Sequence, residues 1–206
     1  MKRSLLSRPA GGRGFTLIEL LVVIAIIALL VTGAFGAYGF VIEKAKKADA
    51  QSTCMAVYNA IDQYHTEYDY LPTPTSATKG TDCQSDTTAQ EGLIAILKAM
   101  DVTQNSKSID FLGDIKDAKV EGSGSTRKRV NGMIRDAETA ELVDPWGNYY
   151  DVHMDLDLNG KIANPNSEEM ASGTTELHKS AIVFSAGKDH DKAKWKDNVG
   201  SWSSAQ

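Results

Sequence analysis

One apolar run constrains this chain more than any other feature. From Phe15 to Ile42 there are 28 residues and a single charge, Glu19. As a helix this run is about 42 Å long at ~1.5 Å per residue. A bilayer core needs only about 20 such residues, so the run is long enough to span one. Lys2, Arg3, Arg8 and Arg13 precede it, with no acid among the first 14 residues. The chain therefore begins as a short basic leader set against an apolar helix.

A secretory signal peptide and an ordinary membrane anchor both compete for this pattern. A signal peptide has an apolar core of about 7–15 residues followed by small residues at its cleavage site. This run is far longer, and no Ala-x-Ala-like end follows it. Glu19 argues against a plain anchor, because a carboxylate in hydrocarbon is costly and normally has a partner and a purpose. Its place near the helix start softens that cost through the helix dipole.

The order of features is basic leader, Gly14, Phe15, Thr16-Leu17-Ile18, Glu19, Leu20 and a long apolar run. This order resembles the class III signal of the type IV pilin and pseudopilin family. The resemblance implies that a prepilin peptidase cuts after Gly14 and that the new N-terminal Phe15 is N-methylated. Glu19, a lone carboxylate four residues from the amine that such cleavage creates, is expected to act in assembly by neutralising the Phe15 amine of a neighbouring subunit.

Charge narrows the partners. The chain has 22 Lys+Arg and 27 Asp+Glu, for a net charge of −5. Loss of the four basic leader residues leaves 18 against 27, or −9. Such an acidic chain is a poor non-specific binder of nucleic acid. Two cysteines, Cys54 and Cys83, are compatible with either a disulfide outside the cytoplasm or free thiols. The basic leader favours a cytoplasmic N-terminus and an exported body, although Lys44, Lys46 and Lys47 weaken the bias.

The chain falls into a leader (1–14), a transmembrane half-helix (15–42), an amphipathic half-helix (43–70) and a globular α+β head (71–206). Cys54, Val57, Ile61, Tyr64 and Tyr68 recur at helical spacing, which predicts one helix from Phe15 to Glu67. Leu71-Pro72-Thr73-Pro74 stops it. Gly33, Gly36 and Gly39 suit close helix packing in a bilayer, or a segment that unwinds during assembly. Thr75–Gln90 reads as a polar loop and Ala89–Met100 as a short packing helix. Asp101–Leu142 is weakly patterned. Its Gly122–Arg129 stretch reads as a solvated loop, with three basic residues too few for a binding patch.

From Asp144 the pattern turns β-like. Asp144-Pro145-Trp146-Gly147-Asn148 holds turn dipeptides around an anchoring Trp. Tyr150, Val152 and Met154 alternate as a strand. Asn159-Gly160 suits a tight hairpin with a return at Lys161-Ile162. Ala181–Phe184 is apolar enough to be a central strand. An antiparallel sheet packed on the long helix follows. Asp144–Tyr150 resembles a segment of the major pseudopilins of type II secretion, and Gln90–Leu93 does so loosely.

Two acidic clusters invite a calcium reading. Asp155, Asp157 and Asn159-Gly160 form the first half of an EF-hand loop, but the twelfth position is Asn166 and no helix enters it. A solvated hairpin is the better account there. The second cluster runs from Ser185 to Trp202 and resembles the C-terminal calcium loop of the major pseudopilins. That resemblance implies ligands at Asp189, Asp197 and Asn198, with a carbonyl near Ala186. The four histidines have no metal-ligand spacing, and no catalytic motif is present.

The expected function is a non-enzymatic subunit of a type II secretion pseudopilus. Its partners would be prepilin peptidase, other pseudopilins, an inner-membrane assembly platform and copies of itself in a filament. It would sit in the bacterial inner membrane by a single pass, with a periplasmic body, and in a periplasmic pseudopilus after assembly. A type IV pilus subunit is the alternative within the family. A membrane-anchored periplasmic enzyme or binding module is the alternative outside it.

Overall fold

The computed structural model describes residues 14–166 and 175–202, with the side chains of 33–37 excepted. Residues 1–13 of the leader, and the packing expectation at Gly33 and Gly36, lie outside the described residues. Helix α1 spans Leu17–Tyr68, within a residue or two of the expected bounds. The chain divides into two compact units, Met1–Glu43 and Lys44–Gln206.

In the first unit, the described side chains from Phe15 to Thr32 are all exposed. Among the described residues no helix is long and apolar enough to cross a membrane. The side chains of 33–37, in the middle of the apolar run, are not among those residues.

In the second unit, α1 buries one face. Ala50, Cys54, Val57, Ala60, Ile61 and Tyr64 are fully buried. Their spacing of three and four residues places them on a single stripe. This stripe packs on a four-stranded antiparallel sheet, the α+β arrangement that the sequence predicts. The strands in chain order are β1 (Cys83–Asp86), β2 (Lys119–Glu121), β3 (Lys128–Val130), β4 (Gly132–Arg135), β5 (Ala140–Val143), β6 (Asp151–Met154), β7 (Ile162–Ala163), β8 (Glu176–Leu177), β9 (Ala181–Ser185) and β10 (Val199–Gly200). The main sheet has the order β1-β6-β9-β10. Tyr150, Val152, Met154, Ala181 and Val183 face the helix and join one apolar core with it.

Several expectations change. The polar loop at Thr75–Gln90 contains the edge strand β1, paired in register Cys83↔Met154. The packing helix is only Leu93–Leu97, because Gly92 at φ 74° and Ala99 at φ 59° are left-handed and stop it on both sides. The weakly patterned stretch folds into two hairpins, β2–β3 and β4–β5. Asn159-Gly160 does not turn the chain back onto β6. Strands β1 and β9 already occupy both edges of β6, so β7 pairs with β8 instead.

Candidate functional site

At the N-terminal junction, Gly14 and Phe15 precede α1 and are exposed. A peptidase needs an accessible bond outside regular structure, and Gly14–Phe15 is exposed and lies before the helix. Thr16 and Glu19 then form a reciprocal capping box. The Thr16 backbone N–H and hydroxyl both donate to Glu19 Oε2, each at 2.8 Å. The Glu19 N–H donates back to Thr16 Oγ1 at 3.3 Å. Such a box satisfies helix-start donors that otherwise lack partners. It also fixes the Glu19 carboxylate one residue from the amine that cleavage would create. Oε1 takes part in neither bond to Thr16.

A second centre forms where the Asp144 turn meets the C-terminal loop. Asp144 is fully buried. Its Oδ1 accepts the N–H groups of Trp146 and Asn148, at 2.9 and 2.8 Å. Its Oδ2 accepts Asn148 Nδ2 at 2.9 Å and the Ser185 hydroxyl at 2.6 Å. Asn148 Nδ2 also donates to the Gly187 carbonyl at 2.9 Å, and Asn148 Oδ1 meets His190 Nδ1. The turn and the loop, 41 residues apart, are therefore locked together. Gly187 is held at φ +69°, and a Cβ there would lie 2.5 Å from the Asp197 carbonyl oxygen. No larger residue fits without displacing the loop.

The loop covers the outer face of the sheet. Phe184, Trp195 and Trp202 cluster there, with ring centroids 5.2–6.0 Å apart. Beneath them His153 and Asp151 are buried as well, although alternation alone would put them in solvent. Lys192 donates to Asp151 Oδ1 at 2.6 Å. Burial pushes the Asp151 carboxyl up, and its bond to Lys192 opposes that rise. Burial, with the Lys192 charge nearby, lowers His153 to about 4, so the ring is neutral at pH 7.

The expected calcium ligands are spread along this loop. Asp197 Oδ2 accepts the N–H groups of Lys188 and Asp189, at 2.7 and 3.0 Å. Asp189 Oδ1 accepts the Asp191 N–H at 2.9 Å. Ala186 is buried. Asn198 donates through Nδ2 to the Lys192 carbonyl at 3.0 Å, while its buried Oδ1 has no hydrogen-bond partner. That orphan oxygen fits a cation, because calcium takes neutral amide oxygens alongside carboxylates.

The other cluster gains a member that the sequence did not suggest. Asp82, Asp155 and Asp157 bring carboxylate oxygens within 4.8 Å of one another. Strand register does this: pairing Cys83 with Met154 sets Asp82 beside Asp155. Asp155 is buried, and its oxygens accept the N–H groups of Asn159 at 3.0 Å and Gly160 at 2.7 Å. Burial first, and then the Asp157 and Asp155 charges, raise the Asp82 carboxyl. Such an acidic cluster could hold a cation.

Cys54 and Cys83 are both free and buried, so the bridge that the sequence left open is not made here. Cys54 Sγ lies 3.6 Å from the Val199 carbonyl, on the helix face of the core. Burial raises both thiols, which keeps them protonated and unreactive.

Residues 11–35 match the family described as "Prokaryotic N-terminal methylation motif". The chain carries a prepilin-type N-terminus. The motif is typical of type IV pilin-like proteins, which are pilus and pseudopilus subunits in general and usually non-enzymatic. It implies prepilin-peptidase processing, filament assembly and an N-terminal helix anchored in the inner membrane before assembly. No curated protein and no solved structure matches this prepilin-like chain.

Proposed function

We propose that this chain is a subunit of a type II secretion pseudopilus. It is cut between Gly14 and Phe15, methylated at Phe15, and held by the Phe15–Ile42 half of its helix until it joins the filament. Glu19 then neutralises the Phe15 amine of a neighbouring subunit. The partners are copies of this chain, other pseudopilins, the peptidase and an inner-membrane assembly platform. The observation that carries this reading is the lock between the Asp144 turn and the Gly187 loop. These are the two head segments whose sequences resemble major pseudopilins, and they form one unit of structure. Deleting the gene should stop export of folded proteins across the outer membrane and leave surface pili in place. Lost pili with normal export would instead assign the chain to a type IV pilus.

Calcium is the proposed ligand of the C-terminal loop, through Asp189, Asp197, Asn198 and a carbonyl near Ala186. Binding to the folded form alone stabilises it by about 2.7 kcal/mol at a hundredfold excess over the dissociation constant. The detergent-solubilised chain should therefore melt at a higher temperature in calcium than in chelator. Asp197→Ala should remove that difference and Asp155→Ala should not. The reverse pattern moves the ion to the Asp82 cluster, and an unchanged wild-type melting temperature removes calcium from the account.

A further inference from the structure

The β2–β3 hairpin is an unusual surface on an acidic protein. Every residue from Lys119 to Arg129 is exposed, and only Val130 is buried. A two-stranded hairpin solvated on both faces is marginally stable by itself, so a covering partner would suit it. Lys119, Arg127 and Arg129 make no ion pair among the described residues, and Glu121 opposes Lys128 across the register. Arg129 also lines, with Arg135 and the salt-bridged Asp117, a hollow of about 390 Å³. Four cations against one acid in Lys119–Arg129 contrast with the net −9 expected of the processed chain.

The opposite charge lies at the other end of the same strand. The hairpin is fixed beside the turn that leads into β6, where Lys128 Nζ donates to the Trp146 carbonyl at 2.7 Å. Asp82, Asp155 and Asp157 gather just beyond the far end of β6. No Lys or Arg pairs with these three carboxylates among the described residues. Strand β6 alone puts about 13 Å between the poles, at ~3.3 Å per residue, beyond a Debye length of about 8 Å. At that separation the two poles are largely screened from each other within one molecule.

Separated, unlike poles fit a heterologous head-to-tail contact, which propagates as an open helix wherever its rotation does not close a ring. We infer that the Lys119–Arg129 hairpin of one subunit docks on the Asp82–Asp157 pole of a second copy of this chain. The inference rests on the filament reading and adds the head surfaces that set the stacking. A polar contact of this kind fixes register and orientation more than it supplies affinity.

Charge reversal in the full chain, expressed with its own assembly machinery, tests the contact through the yield of sheared, pelleted fibres. Arg127→Glu with Arg129→Glu, and separately Asp82→Lys with Asp157→Lys, should each lower the yield about tenfold or more. The four changes together should restore most of it. A variant carrying Arg129→Cys and Asp157→Cys, in which Cys54 and Cys83 stay buried, should give oxidative ladders in fibres and none in detergent-dispersed subunits. That readout does not depend on whether the reversals fold. Normal yield from both reversals, or no ladder in fibres that do form, overturns the contact and leaves the filament reading standing. Hairpin reversal that the combined swap does not rescue assigns the hairpin another partner and also overturns it. An unaltered chain that never forms fibres overturns the filament reading, and this contact with it.

Discussion

Glu19→Ala should be inserted and cleaved like the parent and should then fail to assemble, with fibre yield down by at least about tenfold. A lone carboxylate in an apolar run is disfavoured by roughly 2.5 kcal/mol or more near a bilayer centre, less near the helix start. The structure shows one thing that Glu19 does for its own helix: its Oε2 caps the Thr16 N–H at 2.8 Å. Capping contributes about 0.5–2 kcal/mol and needs no charge. Neutralising a neighbour's amine needs the charge. Glu19→Gln separates the two roles, because an amide oxygen can still accept the Thr16 N–H. If assembly depends on charge, Glu19→Gln fails as Glu19→Ala does. If Glu19→Gln builds normal fibres, Glu19 is only a cap and the intersubunit pairing is wrong.

Asp144→Ala should cause the largest loss of head stability from a single substitution, about 3–4 kcal/mol. Its buried carboxylate accepts four hydrogen bonds, from Trp146, Asn148 (twice) and Ser185. Truncation leaves these donors in a site that water does not reach, and each stranded donor costs about 1–3 kcal/mol, partly relieved by local relaxation. For a unit of this size each kcal/mol shifts the melting temperature by about 2–4 °C, so the drop should be near 10 °C. Ser185→Ala removes one of these donors but also the acceptor of the Gly187 N–H at 3.0 Å, so it should cost less than Asp144→Ala without being neutral. The double variant should lose little beyond Asp144→Ala, because both act in one network. A loss below about 1 kcal/mol for Asp144→Ala would show that the turn and loop do not depend on this carboxylate.

The long helix was legible because nothing interrupts it between Pro9 and Pro72 and its apolar stripe repeats every three or four residues. Strand β9 was legible because Ala-Ile-Val-Phe suits a buried position in any sheet. Strand β1 was not, since Cys-Gln-Ser-Asp has no β-branched or aromatic residue and is a strand only because β6 offers it an open edge. The same long-range pairing hid Asp82 from the acidic cluster, 73 residues before Asp155. Alternation along β6 located its helix-facing side correctly. It could not show that the other side, Asp151 and His153, is roofed by the C-terminal loop. Of the candidate sites, the Gly14–Glu19 signal was legible because it is local in sequence. The lock from Asp144 to Ser185 was not, because it depends on where two distant segments meet.

Processing at Gly14–Phe15 comes first, since the membrane, assembly and filament roles all follow from it. Intact-mass spectrometry of the protein purified from its native host tests that directly. The predicted mass is that of a chain beginning at Phe15 with one added methyl group. A chain still carrying Met1, or one cut between Thr32 and Gly39 as a secretory signal would be, contradicts the account.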